Sequence, residues 1–172
     1  MEIQVLSALQ GLVGLQLTFV KSAVDMRSFN FGDSKSEDDA QIPAYSLHVL
    51  CPWRIQNDEQ ILTGRSDYYK QAKQNSNTAW KPGDVWGNLQ NERLAIMLGS
   101  DDRDQATIFS SRSDLVVESV AADAVGGCTI KLSGGFHLLL FPDSSEGEAW
   151  RLISREPRSH FVMEAGESYR LS

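Results

Sequence analysis

From residue 115 onward no apolar run in this chain is longer than a strand. Candidate strands at 115–122, 128–133, 136–142, 149–154, 160–165 and 168–171 are parted by Gly126–Gly127, Gly134–Gly135, DSSEGE, REP and Ala165–Gly166. Glycine pairs give the backbone its turn conformations, and acidic turn residues supply local acceptors, so this third of the chain predicts consecutive antiparallel strands. In Phe136 to Phe141 both faces are apolar except at His137. That is the pattern of a central strand covered on two sides.

The first half reads differently. Residues 2–10 space Ile3, Leu6 and Leu9 by three, which suits a short helix or an opening strand. From Leu15 the period is two, through Leu17 and Phe19, and a second run reaches Phe29 and Phe31. These predict a hairpin turning at Lys21–Ser22. DSKSEDDAQ is expected to be a mobile acidic loop, and KQAKQNSNTA, 70–79, a second polar loop. After Pro82–Gly83, NLQNERLAIMLG predicts the one main helix, with Asn88 as N-cap and Gly99 as its stop.

Between these lies AYSLHVLCPWRI, residues 44–55. Tyr45, Leu47, Val49, Cys51, Trp53 and Ile55 share one parity and predict a strand with a core face. His48 and Arg54 fall on the other face. Pro52 cannot donate to a ladder and implies an edge or bulge there. LHVLCPWRI also resembles FHLLLFPD…EAWRLI, residues 136–153, if an insertion follows the second proline. The likeness suits duplication of a three-stranded unit, although strands draw on few residue types and chance produces the same pattern. The expected fold is α+β: mostly antiparallel, strongly curved β-sheet with one main helix and a short N-terminal helix, in a single domain over 1–172.

Composition narrows the function classes. The 172 residues carry 16 basic and 23 acidic side chains, a net charge of −7. Nucleic-acid binding normally needs a basic stripe, and none is visible. The apolar N-terminus opens on Glu2 and is broken by Gln10, Gln16 and Thr18, so it reads as part of the fold and not as an export signal or membrane span. Cys51 and Cys128 lack metal-ligand spacing and predict buried free thiols, which suits a cytoplasmic location.

His48, His137 and His160 show no chelating spacing, and DDRD, 101–104, lacks the alternation of a calcium loop. No nucleophile motif, phosphate cradle or cofactor fingerprint is present. No metal or cofactor is expected. Asp67, before Tyr68–Tyr69, reads either as part of a polar cluster or as a turn residue. Trp53 and Trp150 suit the core. Trp80 and Trp86 lie in loop context, where core and interface roles weigh equally.

SLHVLCPWRI, ILTGRSDYY, FHLLLFPD, EAWRLI and SHFVMEAG together resemble a family of uncharacterised bacterial proteins with an LHVxCPWR strand motif. Matching positions are His48, Cys51, Pro52, Trp53, Arg54, Asp67, Tyr69, Trp150, Arg151, His160 and Phe161; the GRSD here departs slightly from the small residue expected before Ser66. The resemblance implies one fold unit of bacterial origin and no particular activity. The leading expectation is a non-enzymatic cytosolic protein of immunity or accessory type that binds a macromolecular, protein partner. One rival is a small-molecule-binding or weakly enzymatic domain with a cleft at His48, Arg54, Asp67 and Tyr69. Another is a homodimer subunit joined through strand edges. His48, Arg54, Asp67, Tyr69, Trp80 and Trp86 are the candidate binding residues.

Overall fold

Alternation and turn chemistry place the strands. The computed structural model describes residues 2–23, 25–33, 35–37, 40–100, 108–110, 114–165 and 170–171. Helix α1, Glu2–Leu9, runs on through a 3-10 turn, Gln10–Leu12, and buries Val5, Leu9 and Leu12. Then come β1 (Leu17–Ala23), β2 (Met26–Phe31), β3 (Lys35–Glu37), β4 (Ala40–Ile42), β5 (Tyr45–Val49), β6 (Trp53–Gln56) and β7 (Ile61–Gly64). Helix α2, Leu89–Leu98, precedes β8 (Ile108–Ser110), β9 (Val117–Ala122), β10 (Cys128–Leu132), β11 (Phe136–Leu140), β12 (Gly147–Ser154), β13 (Ser159–Ala165) and β14 (Arg170–Leu171).

The pairing is antiparallel throughout and the class is α+β. A seven-stranded sheet has the order β14-β13-β12-β5-β2-β1-β8, and a five-stranded sheet the order β7-β6-β11-β10-β9. Both are open, neither strongly curled nor closed. Their inward side chains join in one core, with Phe29 of the first sheet edge-on to Trp53 of the second at 5.2 Å. The two orders correspond. In each half of the chain three strands (β1, β2, β5; β9, β10, β11) lie side by side, and the next two (β6, β7; β12, β13) cross to the other sheet. The crossings touch where Cys51 N–H donates to the Ala149 carbonyl at 2.9 Å and Phe141 N–H to the Pro52 carbonyl at 2.8 Å.

Several expectations need correction. AYSLHVLCPWRI is not one strand. It breaks at Leu50–Pro52, because Pro52 has no N–H to continue the ladder, and β5 and β6 enter different sheets. The first hairpin turns between Ala23 and Met26, not at Lys21–Ser22, since Ser22 pairs with Arg27 inside the ladder. The acidic stretch expected to be a plain loop carries the β3–β4 ribbon. β11 is interior to its sheet as expected, but only one face is fully covered: Leu138 and Leu140 are buried, while Phe141 beyond it is exposed. DDRD and Gly166 lie outside the described residues.

Helix α2 follows its sequence signals. The Asn88 side chain accepts from Asn91 N–H at 2.9 Å, and Gly99 ends the helix in the left-handed region. Cys51 and Cys128 are free and buried. Among the described residues no helix is long and apolar enough to cross a membrane.

Candidate functional site

The segment from Gly64 to α2 folds back on itself through its own backbone. A 3-10 turn, Arg65–Tyr69, leads to a stretch in which Ala72 N–H donates to the Gly87 carbonyl at 2.8 Å and Leu89 N–H to the Lys70 carbonyl at 2.7 Å. Asn75 Nδ2 also holds the Gly87 carbonyl, at 3.1 Å. Asn88, fully buried, donates from Nδ2 to the Asp84 and Val85 carbonyls. Anchored this way, the segment displays three aromatic rings. Trp86 is 57% exposed and Tyr69 48% exposed. Trp80 is half-buried, and its indole N–H donates to the Trp86 carbonyl at 3.1 Å. Tyr69 stands edge-on to the buried Tyr68, with centroids 5.3 Å apart.

Beside Tyr68 and Tyr69 lies Arg27, a residue the sequence reading passed over. It sits on β2 in phase with Phe29 and Phe31, so the strand turns it inward, and it is only 2% exposed. Its Nε donates to Gln90 Oε1 and its Nη2 to Asn91 Oδ1, the latter at 2.8 Å. Both acceptors are neutral amides in the first turn of α2. The guanidinium lies 5.5 Å from the Tyr68 ring centroid. Nη1 is buried without a hydrogen-bond partner, and among the described residues Arg27 has no carboxylate partner. Burial pulls its pKa down to about 10. A small pocket reaches it, lined by Asp25, Arg27, Arg65, Tyr68, Tyr69 and Gln90, with an interior of about 10 Å³. The signal was legible in principle: Gln90, Leu94 and Leu98 share one helical face, so that face begins polar and needs a polar partner.

The six residues singled out from sequence are only partly brought together. Tyr69, Trp80 and Trp86 share the segment just described. Asp67 lies in the 3-10 turn and accepts from Lys70 Nζ at 2.9 Å and Thr63 Oγ1 at 3.3 Å, a turn residue's bonding. Arg54 projects from β6 over the Phe141 ring, 5.0 Å from its centroid. His48 projects from β5, in the other sheet, between Ser28 and Arg151 in the ladder. His48 and Arg54 therefore belong to different surfaces. His137, in the second sheet, stands 3.9 Å from Asp58, apart from His48 and His160.

His48 shares its sheet face with Arg151, whose Nε donates to Glu148 Oε1 at 2.6 Å while Nη2 donates to Oε2. Burial lowers the His48 pKa, and the positive charge of Arg151 adds to that, while Glu148 opposes it. A histidine whose folded pKa is depressed is held neutral, so its stabilisation is complete above the unfolded value near 6.5 and is lost as pH falls through the folded one. Urea unfolding should show wild-type stability falling as pH drops below about 6.5, with His48→Gln flattening that fall. Identical pH profiles for the two proteins would contradict this.

A second cavity, of about 200 Å³, is also lined by Arg65, with Leu50, Cys51, Asp143, Ser144 and Glu148 among others. The Cys51 thiol there is pushed up to about 11 by burial, which keeps it protonated and unreactive at neutral pH. Among the described residues no three His, Cys, Asp or Glu side chains gather where a metal ion could be held. No family model, no curated protein and no solved structure matches this chain.

Proposed function

We propose that this chain is a non-enzymatic binding protein that recognises a protein partner through the face formed by Tyr69, Trp80 and Trp86. Trp86 carries the reading. Tryptophan is among the side chains that dominate protein interfaces, and this one is exposed on a hydrogen-bonded segment that fixes where its backbone stands. Arg65 and Arg27 line a pocket with Tyr68 and Tyr69, and arginine with aromatics is the usual composition of interface hot spots. In a bacterium, the origin the LHVxCPWR resemblance implies, and in the cytosol that the buried free thiols suit, such a protein would act in an immunity or accessory role.

The test is capture from a lysate of the source cell, run in parallel with wild type and Trp86→Ala. The expected result is a protein retained by wild type and weakened by about 30-fold or more in the variant, the effect of losing a hot-spot residue worth about 2 kcal/mol. Equal retention by both would overturn the assignment of this face. The small-molecule reading has less support among the described residues, where the larger of the two cavities, about 200 Å³, falls below the roughly 300 Å³ at which ligand pockets begin. A homodimer draws support from β7, an edge strand that leaves Ile61 exposed, and light scattering separates that dimer from a monomer.

We also propose that the matched strand orders record a duplicated unit, each copy giving its last two strands to the other's sheet. Aligned homologues should then superpose the halves with Pro52 opposite Pro142. Halves that fail to align in this register would count against duplication.

A further inference from the structure

Among the described residues, Arg27 carries a charge without a counter-charge. We propose that a carboxylate borne by the partner, an aspartate or glutamate side chain, supplies it in the pocket between Arg27 and Arg65. The inference rests on the partner reading above and names the chemistry that reading leaves open.

Three observations carry it. First, two of the three guanidinium nitrogens are held by the Gln90 and Asn91 amide oxygens, which fix the orientation of the group without neutralising it. The third, Nη1, has no hydrogen-bond partner although it is buried. Buried charges are normally paired, and one left alone costs more than it contributes to the fold. Second, Arg27 stands at the wrong end of a helix. Gln90 and Asn91 are in the first turn of α2, where the helix dipole is positive, so dipole and guanidinium both favour an anion at the same place. Third, the pocket is already an ion site in miniature. Arg65 stands 3.8 Å from Asp25, a long contact between partly exposed groups, and both residues line the pocket with Arg27. Arg27 and Arg65 against Asp25 leave one positive charge uncompensated.

The space selects the anion. An interior of about 10 Å³ has room for roughly one water-sized group, which fits a single carboxylate oxygen. A phosphate brings about −1.5 to −2 charges and three acceptor oxygens, more than one free guanidinium nitrogen and one rim arginine can satisfy beside Asp25. Nη1 is covered in the free protein, so an entering carboxylate displaces the loose Arg65–Asp25 contact at the pocket rim. It then accepts from Arg27 Nη1 and from Arg65. Asp25 acts as a weak competitor for the same cations.

The experiment uses the full chain at pH 7 and reads its melting temperature in sodium acetate against sodium chloride at equal ionic strength. Acetate is expected to raise the wild-type melting temperature by about 2–4 °C, the shift for a ligand at several times its dissociation constant. Arg65→Ala should abolish the rise, and Asp25→Asn should enlarge it by removing the competitor. Both substitutions are at the rim, so folding is not at stake as it is for Arg27. No difference between acetate and chloride in either wild type or Asp25→Asn overturns the proposal. A larger shift with inorganic phosphate overturns the choice of carboxylate. In the capture experiment, loss of the partner with Arg65→Ala supports the partner as the source. Partner capture without any acetate effect sinks the carboxylate site and leaves the partner reading standing; an acetate effect without a partner does the reverse and makes a free carboxylate the ligand.

Discussion

Trp150→Ala is expected to lower the unfolding free energy by about 3–5 kcal/mol. Trp150 is fully buried on β12, opposite Val49 of β5 and Met163 of β13, so it fills the centre of the seven-stranded sheet's inner face. Its ring lies 5.5 Å from that of Phe161. Its indole N–H donates at 2.9 Å to the carbonyl of Gly126, in the turn between β9 and β10 of the other sheet. That glycine is needed: its φ is +89°, a backbone conformation that other residues rarely adopt, and a Cβ there would also meet the Met163 side chain. The substitution therefore opens a cavity and also leaves a buried carbonyl without its donor. Urea unfolding should show the loss as a lower midpoint with an unchanged slope. Trp150→Phe separates the two effects, because it keeps most of the packing and loses the bond, at a cost of about 1–3 kcal/mol. An alanine variant within about 1 kcal/mol of wild type would be far outside the range for a buried tryptophan and would contradict this packing.

Gln90→Leu is the second large effect, with a loss of about 3 kcal/mol or more, in the range for stripping a partner from a buried charge. The volumes are similar, so little of the loss is steric. Gln90 Oε1 accepts from Arg27 Nε, and its Nε2 donates to the Gly64 carbonyl at 2.7 Å and the Arg65 carbonyl at 3.3 Å. One amide therefore joins β2, the end of β7 and the 3-10 turn to the start of α2. Leucine removes the acceptor from a buried guanidinium nitrogen and the donor from the Gly64 and Arg65 carbonyls. Gln90→Glu is the informative companion: its carboxylate supplies the counter-charge from inside the chain. It should restore stability beyond Gln90→Leu and weaken the acetate effect. A leucine variant as stable as wild type would mean that Arg27 does not depend on this contact.

Local signals were the readable part of the fold. Asn88 and Gly99 bounded α2 correctly because a cap and a left-handed stop act within a few residues. The strands after residue 115 were placed because their turns are spelled out in glycine. What failed depended on the whole chain. Pro52 announced an irregularity, but only the pairing of β6 with β11, far along the sequence, explains why the strand leaves its sheet there. That one break sends His48 and Arg54 to different surfaces. Arg27 was missed for a related reason. An arginine beside a turn is ordinarily solvated, and its side chain is met by the first turn of a helix some sixty residues later. Of the candidate site, Tyr69, Trp80 and Trp86 were visible as loop aromatics, while the buried charge beside Tyr68 and Tyr69 was not.

The most direct test of the account is a crystal structure of this chain grown in sodium acetate. A carboxylate oxygen about 2.7–3.0 Å from Arg27 Nη1, with Arg65 turned onto the same anion and Asp25 released, is the predicted result. An Arg27 whose Nη1 is met by the Asp25 side chain, with no acetate in the pocket, would contradict it: the charge would then be satisfied within the fold and no partner would be needed to complete it.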